Sequence, residues 1–190
     1  MQSKQCVLRP NILAYHVNDK VRCETFISNG NYLIISKDTT WLGLGMYFWD
    51  NQSNALYWLK EKQRKDRDNE IYICAKCNLI LQEEIVLDIT DKKTANKIDE
   101  LWSKYIKISK EYINEKRIGV KLDILFRILP NFKEYGVIKA HAIYPKDRYI
   151  DFFKSEYGRC HISSNVKTIY LVKKSELAIN RELWRLNHEE

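Results

Sequence analysis

Three short segments carry the residue types best suited to chemistry. They contain a histidine, a tyrosine preceded by two glycines, and two aromatic residues near the start of a predicted helix. They are His16, the segment Trp41 to Phe48 around Tyr47, and the segment Asn54 to Trp58 around Tyr57. A flat ring that stacks on an aromatic side chain gains about 1 kcal/mol beyond its burial, and a histidine can donate a hydrogen bond to an attached sugar hydroxyl. The segments therefore predict a pocket for an aromatic ring carried on a sugar, of which NAD is the commonest example.

Local sequence signals place these residues on defined elements. The apolar run Ile12 to Val17 predicts a short buried strand with His16 at its end, and Lys20 to Ser28 predicts a short helix. Met46 to Trp49 predicts a strand with Tyr47 in its middle. The histidine and the tyrosine are thus expected on two early strands.

The residues on either side of the tyrosine strand also have predicted roles. Asp50 or Asn51 can cap a helix that runs to about Lys65. Gly43 and Gly45 are expected to let the backbone pass close to a ligand, where a Cβ atom would clash. A helix N-terminus is therefore expected close to the tyrosine.

The rest of the chain predicts strands at both ends and helices between them. Strands are predicted at Glu70 to Leu79, Glu84 to Ile89, Gly136 to Ile143, Tyr157 to Ser163 and Thr168 to Lys173, and helices at Asp91 to Glu115 and Leu177 to Leu186. Val120 to Leu129 is predicted as a second helical segment or a buried segment that ends before Pro130. Strands and helices do not alternate regularly, which favours an α+β fold with a largely antiparallel or mixed sheet. With 190 residues, 45% of them hydrophobic, we expect one domain over residues 1–190.

Composition narrows the class of protein. No run of eighteen apolar residues occurs, and residues 1–10 lack the pattern of a secretory leader, so we expect a soluble, cytoplasmic protein that does not bind a membrane. Five scattered cysteines favour reduced thiols. Cys74 and Cys77 have zinc-like spacing, but on a strand their thiols face opposite ways, so we predict no metal site.

The net charge of +7 is concentrated in one part of the chain. Residues 104–148 contain eleven Lys or Arg against five Asp or Glu. Such a stretch is typical of a solvated helix face, and it would also suit a phosphate-rich polymer.

In their order and spacing, the three opening segments resemble the ADP-ribosyltransferase superfamily, in particular the branch of diphtheria toxin and the poly(ADP-ribose) polymerases. The corresponding stretches are Ala14-Tyr15-His16-Val17, Leu42-Gly43-Leu44-Gly45-Met46-Tyr47-Phe48 and Asn54-Ala55-Leu56-Tyr57. The family has a histidine strand, a Gly-x-Gly-x-Tyr-Phe strand and a Ser-Ala-x-Tyr helix start. The resemblance covers about fifty residues well and implies a split antiparallel or mixed sheet with flanking helices.

Carried over position by position, the resemblance implies a role for each binding residue. It gives His16 the adenosine-side ribose of NAD, and it gives Tyr47 and Tyr57 the two faces of the nicotinamide. Val17, where the family often has glycine, would bind the nicotinamide amide through its backbone. Asn54, where the family has serine, would hydrogen-bond the carboxamide.

The third position of the family motif is a carboxylate beside the reacting ribose, where it stabilises an oxocarbenium-like centre. Glu156 is the candidate, because it precedes a predicted strand at a spacing similar to that of the polymerases. A competing register places the strand itself in the site, with Arg159, Cys160 or His161 at this position. The implied catalytic set is therefore His16, Tyr47 and Glu156.

The resemblance implies an enzyme that transfers ADP-ribose from NAD to a macromolecule, nucleic acid in the first place or protein, and releases nicotinamide. A small basic domain of this kind resembles bacterial toxins and anti-phage effectors, for which an antitoxin or immunity partner is expected. Two alternatives remain open: an NAD glycohydrolase that uses water as acceptor, and a non-enzymatic nucleic-acid-binding module whose aromatic residues stack bases.

Overall fold

The computed structural model describes residues 10–36, 39–66, 70–109, 115–143 and 166–185. Within these ranges the strands are β1 (Asn11–Asp19), β2 (Met46–Trp49), β3 (Tyr72–Ile80), β4 (Val86–Asp88), β5 (Val137–Ile143), β6 (Val166–Val172) and β7 (Ala178–Trp184). The α-helices are α1 (Lys20–Ser28), α2 (Gln52–Lys65), α3 (Lys92–Ser109) and α4 (Ile118–Ile128). The α+β class with a mixed sheet is confirmed. None of the helices in the described ranges combines the length and the apolar character needed to cross a bilayer.

The seven strands form one sheet in the order β4-β5-β6-β2-β1-β3-β7. Its neighbours are antiparallel except for the parallel pair β4 and β5. Pairing is uneven at the centre: β1 pairs with β3 through nine residues, but with β2 only through Tyr15 and Trp49. The sheet therefore opens between β1 and β2 beyond that single pair.

Strand alternation gives the sheet two covered faces. One face, with Tyr15, Val17 and Trp49, packs against α2, α3 and α4, and the other, with Ala14 and Phe48, packs against α1. Successive side chains of a strand point to opposite faces, so each apolar run supplies both layers of the core. Burial of this kind is the main stabilising term of the fold.

The thiols of β3 follow the same alternation, as predicted. Cys74 packs in the cluster on the α2 side and Cys77 in the cluster on the α1 side. Both are free, buried thiols, and burial raises the pKa of each to about 12. Thiols that lie on opposite faces of a strand cannot bind one ion together.

Several local predictions are confirmed. Met46–Trp49 is a strand as predicted. Asn51 caps α2, because its side chain accepts a hydrogen bond from the backbone N–H of Asn54 at 2.9 Å. The strand Val137–Ile143 also lies where the apolar pattern placed it. The strand predicted at Tyr157 to Ser163 lies outside the described residues.

The predicted C-terminal helix at Leu177 to Leu186 is wrong. A single 3-10 turn (Ser175–Leu177) leads directly into β7, which pairs antiparallel with β3. The free edge of β3 supplies backbone partners for β7, and this long-range pairing outweighs the local helical pattern. β1 also extends to Asp19, so His16 lies within the strand and not at its end.

One arginine ties β7 to the far end of α1. The Arg181 guanidinium lies 4.3 Å from the centre of the Phe26 ring. It donates hydrogen bonds of 2.6 to 3.1 Å to the backbone carbonyls of Phe26, Asn29, Gly30, Tyr32, Ser175 and Ala178. The planar fork of arginine can serve several carbonyls at once, whereas a lysine ammonium is a single point charge.

We therefore expect Arg181→Ala to lower the free energy of unfolding by about 2 kcal/mol or more, since each hydrogen bond from a charged donor contributes roughly 1.5–3 kcal/mol. Arg181→Lys should recover only part of this loss. Urea denaturation followed by circular dichroism measures both. Arg64→Ala is the matched control, because Arg64 is exposed and pairs only with Glu61 of its own helix among the contacts of the described chain. Equal stability of the Arg181 and Arg64 variants would contradict the prediction.

Candidate functional site

A cavity of about 820 Å³ lies where the sheet opens between β1 and β2. Its volume is within the roughly 300–1,000 Å³ of ligand pockets. The strands contribute His16, Val17, Asn18, Tyr47, Trp49 and Ile169, α1 and α2 contribute Arg22, Trp58 and Lys62, and the segments between elements contribute Tyr32, Ile34, Ile35, Ser36 and Trp41. Three of the predicted site residues, His16, Val17 and Tyr47, therefore line one cavity.

A hydrogen bond between His16 and Tyr47 spans the opening. The Nδ1 atom of His16 lies 2.6 Å from the backbone carbonyl oxygen of Tyr47, and a carbonyl can only accept, so Nδ1 carries the proton. The side-chain amide of Asn18 donates to Nε2 at 3.3 Å. Burial lowers the pKa of His16 from 6.5 to about 4, which leaves the imidazole neutral at pH 7.

This protonation state corrects one expectation. A neutral imidazole with its proton on Nδ1 has a hydrogen-bond acceptor at Nε2. In the structure the Asn18 amide occupies that acceptor, so a ribose hydroxyl could bond to His16 only by donating to Nε2 in place of Asn18, and the predicted donation from His16 to the sugar is wrong for this tautomer. The scaffold does hold the other ring nitrogen, as expected.

Both the side-chain hydroxyl and the backbone carbonyl of Tyr47 are hydrogen-bonded to other parts of the protein. Its hydroxyl donates to the Gly43 carbonyl and accepts from the Leu42 N–H, each at 3.0 Å. Its backbone carbonyl accepts the bond from His16. The ring of Tyr47 is half-buried against the core on the α2 side and lines the cavity. The phenol is therefore a fixed wall of the site.

At both glycines of this segment, the atoms that a Cβ would meet belong to the protein itself. Gly43 has a φ of +87°, and a Cβ built there would lie 2.5 Å from the carboxylate of Asp123. A Cβ on Gly45 would lie 2.7 Å from the Leu171 side chain. The spaces that the missing side chains leave are filled by α4 and β6.

α2 turns a different aromatic residue toward the cavity than the sequence predicted. Tyr57 is 47% exposed, does not line the cavity, and lies under the Lys167 ammonium at 5.1 Å. Trp58 lines the cavity and stacks on Trp49, with ring centres 5.7 Å apart and planes 17° from parallel. On α2, Trp58 and not Tyr57 therefore lines the cavity.

Asn54 is buried one turn before Trp58, but its side chain does not line the cavity. Its Nδ2 atom donates to Asp50 at 3.4 Å. Lys62, one turn after Trp58, does line the cavity. The positions 58 and 62 lie on one helical face with the buried Ala55 and Leu59, so the apolar spacing of α2 could have identified them from sequence.

Two cations give the cavity a positive wall. Burial lowers the pKa of Lys62, whose ammonium lies 5.4 Å from the centre of the Tyr72 ring. Arg22 pairs with Asp19, the residue that caps α1, at 3.2 Å. Among the cavity residues that the structure describes, none is an Asp or a Glu. Glu156 and the alternatives Arg159, Cys160 and His161 lie outside the described residues.

The described cations of the basic stretch 104–148 do not line the cavity. Lys139 pairs with Asp88 at 2.8 Å, and Arg117 pairs with Glu115 at 2.7 Å. Lys121 lies over the Trp102 ring at 5.6 Å. In the described part, this stretch therefore contains partnered cations as well as exposed ones such as Lys104 and Lys107 on α3.

The comparisons with known proteins give little further information. No family model matches the chain, and no solved structure matches it. An uncharacterized protein of the archaeon Methanocaldococcus jannaschii is 26% identical over 144 residues. The match covers 71% of this chain and 66% of the archaeal protein, just under two thirds of that relative's length.

The buried state of His16 predicts a specific pH dependence of stability. His16 takes up a proton near pH 6.5 in the unfolded chain but only near pH 4 in the folded chain. Its contribution to the free energy of unfolding is therefore fully present above pH 6.5 and is lost as the pH falls toward 4. Between pH 7 and pH 5, His16 should lower the free energy of unfolding by about 2 kcal/mol. Urea titrations at both pH values measure the change.

His16→Asn is the control for this experiment. Its side-chain amide can still donate to the Tyr47 carbonyl, but it does not titrate. The variant should therefore lose less stability than the wild-type chain on acidification. The same pH dependence in both proteins would show that His16 is not the responsible group.

Proposed function

We propose that the cavity binds NAD and that the protein transfers ADP-ribose from NAD to a macromolecular acceptor. The observation that carries the proposal is the cavity at the opening of the sheet, where His16 and Tyr47 are joined by a hydrogen bond. These two residues come from the same segments that resemble the ADP-ribosyltransferase superfamily. The resemblance lies in the sequence and the cavity in the fold, so the cavity supports the proposal independently.

The side chains that line the cavity suit a dinucleotide. Tyr47 and the stacked pair Trp49 and Trp58 offer ring faces for the nicotinamide. Arg22 and Lys62 offer positive charge for the diphosphate. The Nε2 atom of His16 would accept a hydrogen bond from a ribose hydroxyl that takes the place of the Asn18 amide.

We assign the second face of the nicotinamide to Trp58, because Tyr57 lies outside the cavity. Val17 lines the cavity, so its backbone remains our candidate for the carboxamide. Asn54 receives no ligand contact in this proposal, since its amide is bonded to Asp50.

In the proposed reaction the bond between the ribose C1′ and the nicotinamide nitrogen breaks, and its electron pair leaves with nicotinamide. A nucleophilic atom of the acceptor forms the new bond to C1′ and loses its proton to solvent or a base. A carboxylate beside the ribose would stabilise the positive charge that develops. Glu156 is our candidate for that carboxylate, with Arg159, Cys160 and His161 as the competing occupants of this position.

We propose nucleic acid as the first acceptor to test, because the chain carries a net charge of +7. Protein is the second acceptor to test. A toxin or anti-phage effector of this kind would act in the cytoplasm and have an antitoxin or immunity partner. If water is the acceptor, nicotinamide is released without transfer of ADP-ribose, and the protein is an NAD glycohydrolase.

The affinity for NAD tests whether Trp58 or its neighbour Tyr57 contacts the ligand. Trp58→Ala should raise the Kd for NAD about tenfold, the loss expected when a stacked ring contributes roughly 1.4 kcal/mol. Tyr57→Ala should leave the Kd nearly unchanged, because its ring lies outside the cavity. Isothermal titration calorimetry measures both. Salt-sensitive nucleic-acid binding by a wild-type protein that does not bind NAD would instead favour the binding module.

The rate of ADP-ribose transfer tests which residue fills the third position of the motif, beside the reacting ribose. With NAD labelled in its adenylate part, the wild-type protein should label RNA, DNA or protein, and Glu156→Gln should reduce the rate by about 100-fold or more because an electrostatic stabiliser is lost. Arg159→Ala and His161→Ala are measured in parallel. If Glu156→Gln transfers at the wild-type rate and either of these does not, the competing register is correct.

A further inference from the structure

An ion pair holds the glycine segment that positions Tyr47. The carboxylate of Asp123 on α4 accepts hydrogen bonds from the Leu44 N–H at 3.1 and 3.0 Å, one to each oxygen. Lys173, which follows β6, pairs with Asp123 at 3.3 Å and donates to the Leu44 carbonyl at 2.7 Å. Both polar groups of the Leu44 backbone are therefore bound by side chains from elsewhere in the chain.

The ion pair lies in partly buried surroundings. The Asp123 and Lys173 side chains are 24% and 17% exposed, and the ammonium lies 4.5 Å from the centre of the Phe126 ring. α4 also meets the segment directly: a Cβ on Gly119 would lie 2.7 Å from the Gly43 nitrogen. Charged hydrogen bonds in a partly dry setting are stronger than those on the open surface.

The contacts continue from this pair to the cavity. Leu44 follows Gly43, whose carbonyl accepts the hydrogen bond from the Tyr47 hydroxyl. The Leu42 N–H donates to the same hydroxyl. The backbone at 42–44 is thus bound on one side by Asp123 and Lys173 and on the other by the phenol that lines the site.

We propose that Asp123 and Lys173 are positioning residues for the nicotinamide subsite, acting on Tyr47 through residues 42–44. The inference rests on the proposed function, since Tyr47 is the ring that would stack on nicotinamide. It adds two residues, one on α4 and one directly after β6, that lie outside the resembling segments. Neither lines the cavity, so they act through Tyr47 and not by touching NAD.

The test compares two ligands on the full chain by calorimetry. Asp123→Asn keeps the size of the side chain but loses one acceptor and the charge. It should raise the Kd for NAD about tenfold and change the Kd for ADP-ribose, which lacks nicotinamide, by about twofold or less. Equal weakening of both ligands, or of neither, would overturn the proposal. Asp88→Asn is the matched control, since Asp88 also pairs with a half-buried lysine, but its described hydrogen bonds go to Thr90 and Lys139 and not to residues 42–44.

A double-mutant cycle tests the route through Tyr47. Tyr47→Phe keeps the ring and removes the hydroxyl that the segment holds. If the ion pair acts through this hydroxyl, adding Asp123→Asn to Tyr47→Phe should weaken NAD binding little further. Fully additive losses would overturn the proposed route. If Asp123→Asn does not fold, Lys173→Met is compared with Lys173→Arg, which keeps the charge and should retain NAD affinity.

A wild-type protein that binds neither NAD nor ADP-ribose would refute the proposed function. The effect of the ion pair on residues 42–44 can still be tested without a ligand. Asp123→Asn should speed hydrogen exchange of the Leu42 amide, which donates to Tyr47, relative to Asp88→Asn. Equal exchange in the two variants would overturn the inference independently of any ligand.

Discussion

The bond from the His16 imidazole to the Tyr47 carbonyl is the interaction on which the site depends. Backbone pairing between β1 and β2 ends after Tyr15 and Trp49, and beyond that point a side chain joins the two strands. The carbonyl can only accept, so Nδ1 donates this bond, and burial keeps the imidazole neutral near neutral pH, so Nε2 stays an acceptor. The remaining ring nitrogen accepts from the Asn18 amide, at a cavity lined by aromatic and cationic side chains.

Much of the fold could be predicted from local sequence because the signals were local. The short strand Met46–Trp49 and the cap Asn51 depend on neighbouring residues, as does the opposite orientation of Cys74 and Cys77. β7 depends on the free edge of β3, about a hundred residues away along the sequence, and no local pattern reports such an edge. That is why a helix was predicted there.

The site was predictable to the level of segments, but not of every side chain. His16, Val17 and Tyr47 line one cavity as predicted, but on α2 the residue that lines it is Trp58, one position after the predicted Tyr57. Asp123 and Lys173 could not be found, because their relation to Leu44 exists only after α4 and β6 have packed. Glu156 lies outside the described residues, and its role stays a prediction.

The single residue pair between β1 and β2 also affects how the molecule responds to heat. It divides the sheet into two leaves, β4-β5-β6-β2 and β1-β3-β7, with little backbone bonding at the seam. A molecule seated between the leaves adds contacts to both, and ligands that bind only the folded state raise its stability. A ligand bound at this seam would therefore raise the melting temperature of the protein, because it would join the two leaves where the backbone does not.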